Sequence, residues 1–159
     1  MASEATKYTK LKHKTYLDYL PFEQMEDFER AQKGLIAKAN DLVIKNDKGQ
    51  IVWRLDELEN LLQKDTPETV NPSLWRHEKL NTIAGLFEVT RGIYQIRGFD
   101  LANLTLIKSQ NGYIAIDPLG CIETAKAAIE FAKKSLGNIK ITAIVVTHSH
   151  WDHFGGIGA

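Results

Sequence analysis

One stretch constrains the fold more than any other: Ile141-Thr-Ala-Ile-Val-Val-Thr147, β-branched at every position but Ala143 and followed at once by His148-Ser-His-Trp-Asp-His153. A run this short and this β-branched reads as a strand suited to burial on both faces. Ahead of it, "CIETAKAAIEFAKKSLG" places Ala125, Ile129, Ala132 and Leu136 on one face of a helix, with Gly137 where a C-capping glycine belongs. Ahead of that lie two hairpin patterns. "LFEVT" and "IYQIR" flank Arg91-Gly92, and "LTLIKS" and "GYIAID" flank Asn111-Gly112. The order is two hairpins, a helix and a strand, an α/β (α+β) arrangement with the histidine cluster on the loop leaving the last strand.

The first half has a different texture. Met25, Phe28, Ala31 and Leu35 fall at helical spacing in "FEQMEDFERAQKGLIAKAN", with Pro21 ahead as a start signal. "NDKGQIVW" reads as a turn into an extended piece, and Leu55, Leu58, Leu61 and Leu62 mark a second short helix. "DTPETVNPSLW" is a linker, in which Asn71-Pro72 suits the start of a third helix, "PSLWRHEKLN". The expected organisation is a mainly helical N-terminal extension over 1–84 and a strand-rich domain over 85–159.

The 159 residues carry 20 Lys plus Arg against 20 Asp plus Glu, so no electrostatic footprint for nucleic acid or an anionic membrane exists. No run of about 18 apolar residues is present to span a bilayer. The basic N-terminus lacks a following apolar segment, which favours a cytoplasmic protein, with a periplasmic or secreted one as the alternative if a signal was removed. The single cysteine, Cys121, cannot form an intrachain disulfide and reads as an inert thiol. His77 reads as structural.

Three of the five histidines sit in the 148–153 cluster. Neutral imidazole nitrogen and carboxylate oxygen are both zinc ligands. Residues two apart in an extended loop can point the same way, so His148 and His150 can grip one ion, while Asp152 and His153 reach a second. Two adjacent metals can share a hydroxide, lower its pKa and clamp both oxygens of a displacement. Ser149 and Trp151 alternate with the ligands and are expected to pack or cap.

"THSHWDHFGG" resembles the His-x-His-x-Asp-His signature of the metallo-β-lactamase superfamily, and the upstream strand–hairpin–helix–strand order agrees with the first half of its αββα sandwich. "LPFEQMEDFERAQKGLIA", "TVNPSLWRHEKLN", "GLFEVTRGIYQIRGFDLANLTLI" and "GYIAIDPLG" are similar to its alkyl sulfatase branch. The resemblance implies two zinc ions, with His148 and His150 on one and Asp152 and His153 on the other. Asp152 would orient a metal-activated hydroxide that hydrolyses long-chain alkyl sulfates, such as dodecyl sulfate, to alcohol and sulfate. "IAIDP" implicates Asp117 behind the ligands, fixing the loop, and "RGFDLAN" offers Phe99 and Leu101 as substrate-lining residues. The family completes its site with residues further downstream, so the chain is expected to be an N-terminal fragment, with an apolar sheet face uncovered. Alone it should hold zinc weakly and hydrolyse nothing, needing the rest of the same polypeptide; the intact protein is expected to be a homodimer. The alternatives are a lactonase, thioesterase or phosphodiesterase of the same superfamily, or a non-catalytic metal-binding fragment completed by another chain.

Overall fold

The computed structural model describes residues 4–159. Its centre is a six-stranded sheet built around the two hairpins. Strands β4 (Gly85–Thr90) and β5 (Ile93–Arg97) form the first hairpin, and β6 (Leu104–Ser109) and β7 (Gly112–Ile116) the second. Helix α5 (Ile122–Leu136) then crosses the sheet and delivers β8 (Ile141–Val145) parallel to β7, as a strand–helix–strand crossover requires. A strand from the first half, β1 (Leu35–Lys38), closes the other edge against β4, giving the order β1-β4-β5-β6-β7-β8. The sheet therefore draws on both sides of the boundary expected at 84–85.

The core lies between this sheet and α5. Leu86, Ile96, Leu104, Leu106, Tyr113 and Ala115 share one face by strand alternation and meet Ala128 and Ala132 of the helix. Small residues on that helical stripe allow a close approach, and a two-stranded ribbon of β2 (Val43–Lys45) and β3 (Ile51–Arg54) packs against the same helix. The opposite sheet face is more open: Ile107, Ile114 and Ile116 are half-buried and Val145 is exposed. There the Arg97 guanidinium stacks 4.2 Å from the centre of the buried Phe87 ring.

Four helices occupy the first half: α1 (Lys7–Tyr19), α2 (Glu26–Gln32), α3 (Asp56–Leu62) and α4 (Pro72–Asn81). Helix α4 starts as expected, with Asn71 accepting a hydrogen bond from the Ser73 N–H and Pro72 in the first turn. No helix among the described residues is long and apolar enough to cross a membrane.

Helix α1 was not expected, and two local expectations need correcting. Helix α1 carried no sequence signal that marked it, because none of its residues is buried and its apolar residues form no core stripe. The helical spacing through Leu35 ends at Gln32 instead, since Gly34 adopts φ +78° and redirects the chain into β1. A Cβ at Gly34 would stand 2.2 Å from the Glu88 carbonyl oxygen, so strand pairing overrides the helical period there. Finally, β8 is not buried on both faces: it lies at the sheet edge with Ile144 and Val145 exposed.

Candidate metal centre

The histidine loop leaves β8 and turns back through a short 3₁₀ turn, Trp151–His153, whose His153 N–H reaches the His150 carbonyl at 3.0 Å. Its shape is dictated from β7. Asp117, just past β7, donates its own N–H to the Val145 carbonyl at 3.0 Å, extending the parallel pairing. Its carboxylate then takes the next residue pair: Oδ1 accepts the Thr147 N–H and Oδ2 accepts the Thr147 hydroxyl, both at 2.8 Å. Asp117 sits at φ +53°, a left-handed conformation that aspartate tolerates better than most residues.

This arrangement settles a tautomer. Thr147 has one hydroxyl proton and gives it to Asp117, so its oxygen accepts at 3.0 Å from His148 Nδ1–H. In the neutral ring the lone pair then sits on Nε2, the state in which an imidazole binds metal through that nitrogen. Asp117 reaches a second histidine too, with Oδ2 2.9 Å from His153 Nδ1. That nitrogen is buried and lacks a well-directed hydrogen bond despite the short distance, so the two groups meet at an angle. Burial alone would raise the Asp117 pKa, but the Thr147 N–H, His153 and the Thr147 hydroxyl outweigh it and hold the carboxyl below the ordinary aspartate value.

The rings converge. The His148 centroid lies 4.7 Å from that of His150 and 4.0 Å from that of His153, while Asp152 Oδ2 is 3.5 Å from His153 Nε2. His148 and His150 are exposed, and Asp152 and His153 half-buried. In kind, these nitrogen and carboxylate donors suit a zinc-type ion. In number they do not close a coordination shell: among the described residues, no three His, Cys, Asp or Glu side chains are gathered as a finished metal site.

A second turn braces the loop from below. Residues 118–121 link β7 to α5, and Leu119 holds φ +65°, a strained state for leucine that its fully buried side chain stabilises. The Gly156 N–H reaches the Leu119 carbonyl at 3.0 Å. Glycine is needed at the contact: a Cβ at Gly156 would lie 2.0 Å from the Pro118 carbonyl oxygen, and one at Gly120 only 2.2 Å from the Trp151 ring. Asp100, buried in the β5–β6 connection, accepts hydrogen bonds from the Leu101 and Gly120 N–H groups and the Thr124 hydroxyl. Nothing local marks Asp100 in the sequence, because two of its partners lie 20 and 24 residues away.

The residues offered by "RGFDLAN" part company. Phe99 is only 2% exposed and packs on Phe131 with centroids 5.1 Å apart, so it belongs to the core and lines no surface a substrate reaches. Residues two apart would share a face in a strand, but the bend between β5 and β6 turns Phe99 inward and Leu101 outward. Leu101 borders an apolar groove of about 390 Å³ with Val52, Trp53 and Trp151. His77 lies exposed on α4 and away from the cluster, and Cys121 is a half-buried free thiol at the α5 N-cap.

Residues 97–159 match the model of the metallo-beta-lactamase superfamily. The chain is 46% identical over 152 residues to an (R)-specific secondary-alkylsulfatase from Pseudomonas sp., covering 96% of this chain and 23% of that protein. It is 41% identical over 157 residues to a linear primary-alkylsulfatase from Pseudomonas sp., covering 98% and 23% respectively. The solved stereoselective inverting sec-alkylsulfatase from Pseudomonas sp. superposes with a TM-score of 0.91 at 45% identity, over 99% of this chain and 25% of that one. Along nearly its whole length the chain is similar to alkylsulfatases, and its second part matches the metallo-beta-lactamase superfamily. It spans about a quarter of the length of the alkylsulfatases it matches. Its mainly antiparallel sheet with helices is the corresponding part of the alkylsulfatase metallo-beta-lactamase fold.

Proposed function

We propose that this chain supplies the His148, His150, Asp152 and His153 part of a zinc centre in an enzyme that hydrolyses alkyl sulfate esters to alcohol and sulfate. The observation that carries the reading is the Asp117–Thr147–His148 relay. It ties one imidazole through Nδ1, leaving Nε2 for a metal, beside two further histidines in a chain 41–46% identical to alkylsulfatases. Zinc, when bound, would acidify a water molecule and polarise the ester oxygen.

The chain's own residues shape this part of the site. Thr147 holds the His148 ring in its ligating tautomer, and Asp117 keeps the loop in register with β7. Asp152, half-buried at the loop's turn, would accept a proton-bearing hydrogen bond from the attacking water and orient it. Leu101, with Val52, Trp53 and Trp151, would receive the alkyl chain in the apolar groove beside the loop.

Sulfate release from dodecyl sulfate and from a secondary alkyl sulfate by the full-length protein tests this. Treatment with a chelator should abolish release and added zinc restore it, while His148→Ala and Asp152→Asn should leave no measurable activity. Release indifferent to chelator and to both substitutions would sink the proposal. So would hydrolysis of lactones or phosphodiesters with none of sulfate esters.

A further inference from the structure

We propose that Asp100 is a positioning residue for the histidine loop, acting through Gly120 and Trp151; the inference rests on the metal-centre reading above. The Asp100 carboxylate is buried and receives three hydrogen bonds. Oδ1 accepts from the Leu101 N–H at 2.7 Å, and Oδ2 accepts from the Gly120 N–H at 3.0 Å and from Thr124 Oγ1 at 2.5 Å. The Thr124 hydroxyl also lies 3.0 Å from the Cys121 carbonyl, but it has one proton, and the shorter contact to the stronger acceptor takes it.

All three donors are neutral and fixed by backbone or helix. Asp100 makes no ion pair with a lysine, arginine or histidine among the described residues. Thr124 and Gly120 flank the start of the 15-residue α5, so the carboxylate also faces the positive end of that helix. A buried carboxylate satisfied this way sets geometry, because moving any donor leaves charge unsolvated.

What Asp100 fixes is the floor under the loop. The bare Cα of Gly120 touches the Trp151 ring, and its carbonyl is so close to Gly155 that a Cβ there would lie 2.1 Å away. Trp151 stands between His150 and Asp152 in the chain, so a shift of Gly120 passes through one side chain to ligands on either side. The route Asp100–Gly120–Trp151 approaches the cluster from the α5 side, independent of the Asp117–Thr147 route from β7.

The test is cobalt(II) titration followed by visible absorption, with zinc affinity measured against a chromophoric chelator, on full-length wild type and Asp100→Ala at a temperature well below unfolding. Wild type should give a defined cobalt band. Asp100→Ala should change that band and weaken zinc by about tenfold or more, with the far-ultraviolet dichroism retained. A variant that lowers the melting temperature but binds cobalt with wild-type affinity and spectrum overturns the positioning role and leaves only a structural one. If Asp100→Ala does not fold, Thr124→Val, which removes one donor and keeps the carboxylate, should move affinity and spectrum in the same direction by less; no movement overturns the inference. Wild type that binds no cobalt overturns the metal-centre reading and this inference together, whereas a wild-type site unmoved by either substitution overturns this inference alone.

Discussion

Asp27 and Asp56 on the helical side hold arginines at the protein surface, whereas Asp100 and Asp117 on the sheet side are buried and hold N–H groups and hydroxyls. The Arg76–Asp27 pair joins α4 to α2, and the Arg54–Asp56 pair joins β3 to the start of α3. Such pairs tolerate small movements, since water and salt compete for both partners and long side chains can readjust. Asp100 and Asp117 are buried and hold backbone N–H groups and short hydroxyl side chains, which cannot readjust as a long side chain can. The first kind fastens one element to another. The second kind fixes where a loop lies, and the loop fixed here carries the candidate ligands.

The comparison can be broken hardest at the packing beneath the interior pair. Phe99→Ala should cost about 3–5 kcal/mol in denaturant unfolding, because the ring fills the space against Phe131. A loss under 1 kcal/mol would mean that this side is not close-packed. Next comes Gly156→Ala, whose Cβ collides with the Pro118 carbonyl: it should cost about 1–3 kcal/mol and loosen the 151–156 loop. Amide hydrogen exchange around Gly155 should rise, and an unchanged exchange rate would show that the turn does not brace the loop.

Thr147→Val keeps the shape and removes the hydroxyl that joins Asp117 to His148. It should destabilise by about 1–2 kcal/mol and release the His148 tautomer, seen as a change in its ring nitrogen shifts in NMR. Identical shifts would separate Thr147 from the histidine. The smallest effect belongs to the surface pair. Asp27→Asn should lower the melting temperature slightly at neutral pH, and high salt should erase the difference. Hydrogen bonding to Arg76 holds the folded-state pKa of Asp27 below its ordinary value. Its stabilisation is therefore present above the ordinary aspartate pKa and is lost as pH falls through the folded-state value. A penalty that persisted in strong acid or high salt would erase the contrast between surface and interior carboxylates.

Most of the sheet was legible because its signals are local. Turn glycines, period-two alternation and the amphipathic stripe on α5 each operate within a dozen residues, and β4 to β8 follow them. The cluster of candidate ligands stands out for the same reason, since all four fall within six positions. Helix α1 and strand β1 were not, as α1 buries nothing and β1 exists only through pairing with a strand some fifty residues on.

The sequence by itself determined the hairpins, the crossover helix, the β-branched strand and the chemistry of the loop that follows it. Tertiary structure decided which carboxylates hold that loop, and that Phe99 turns inward while Leu101 turns out. The reason is range. Periodicity and ligand identity are written in neighbouring residues, but a buried carboxylate draws its meaning from donors 20 to 30 residues away, and only the folded chain brings them within 3 Å.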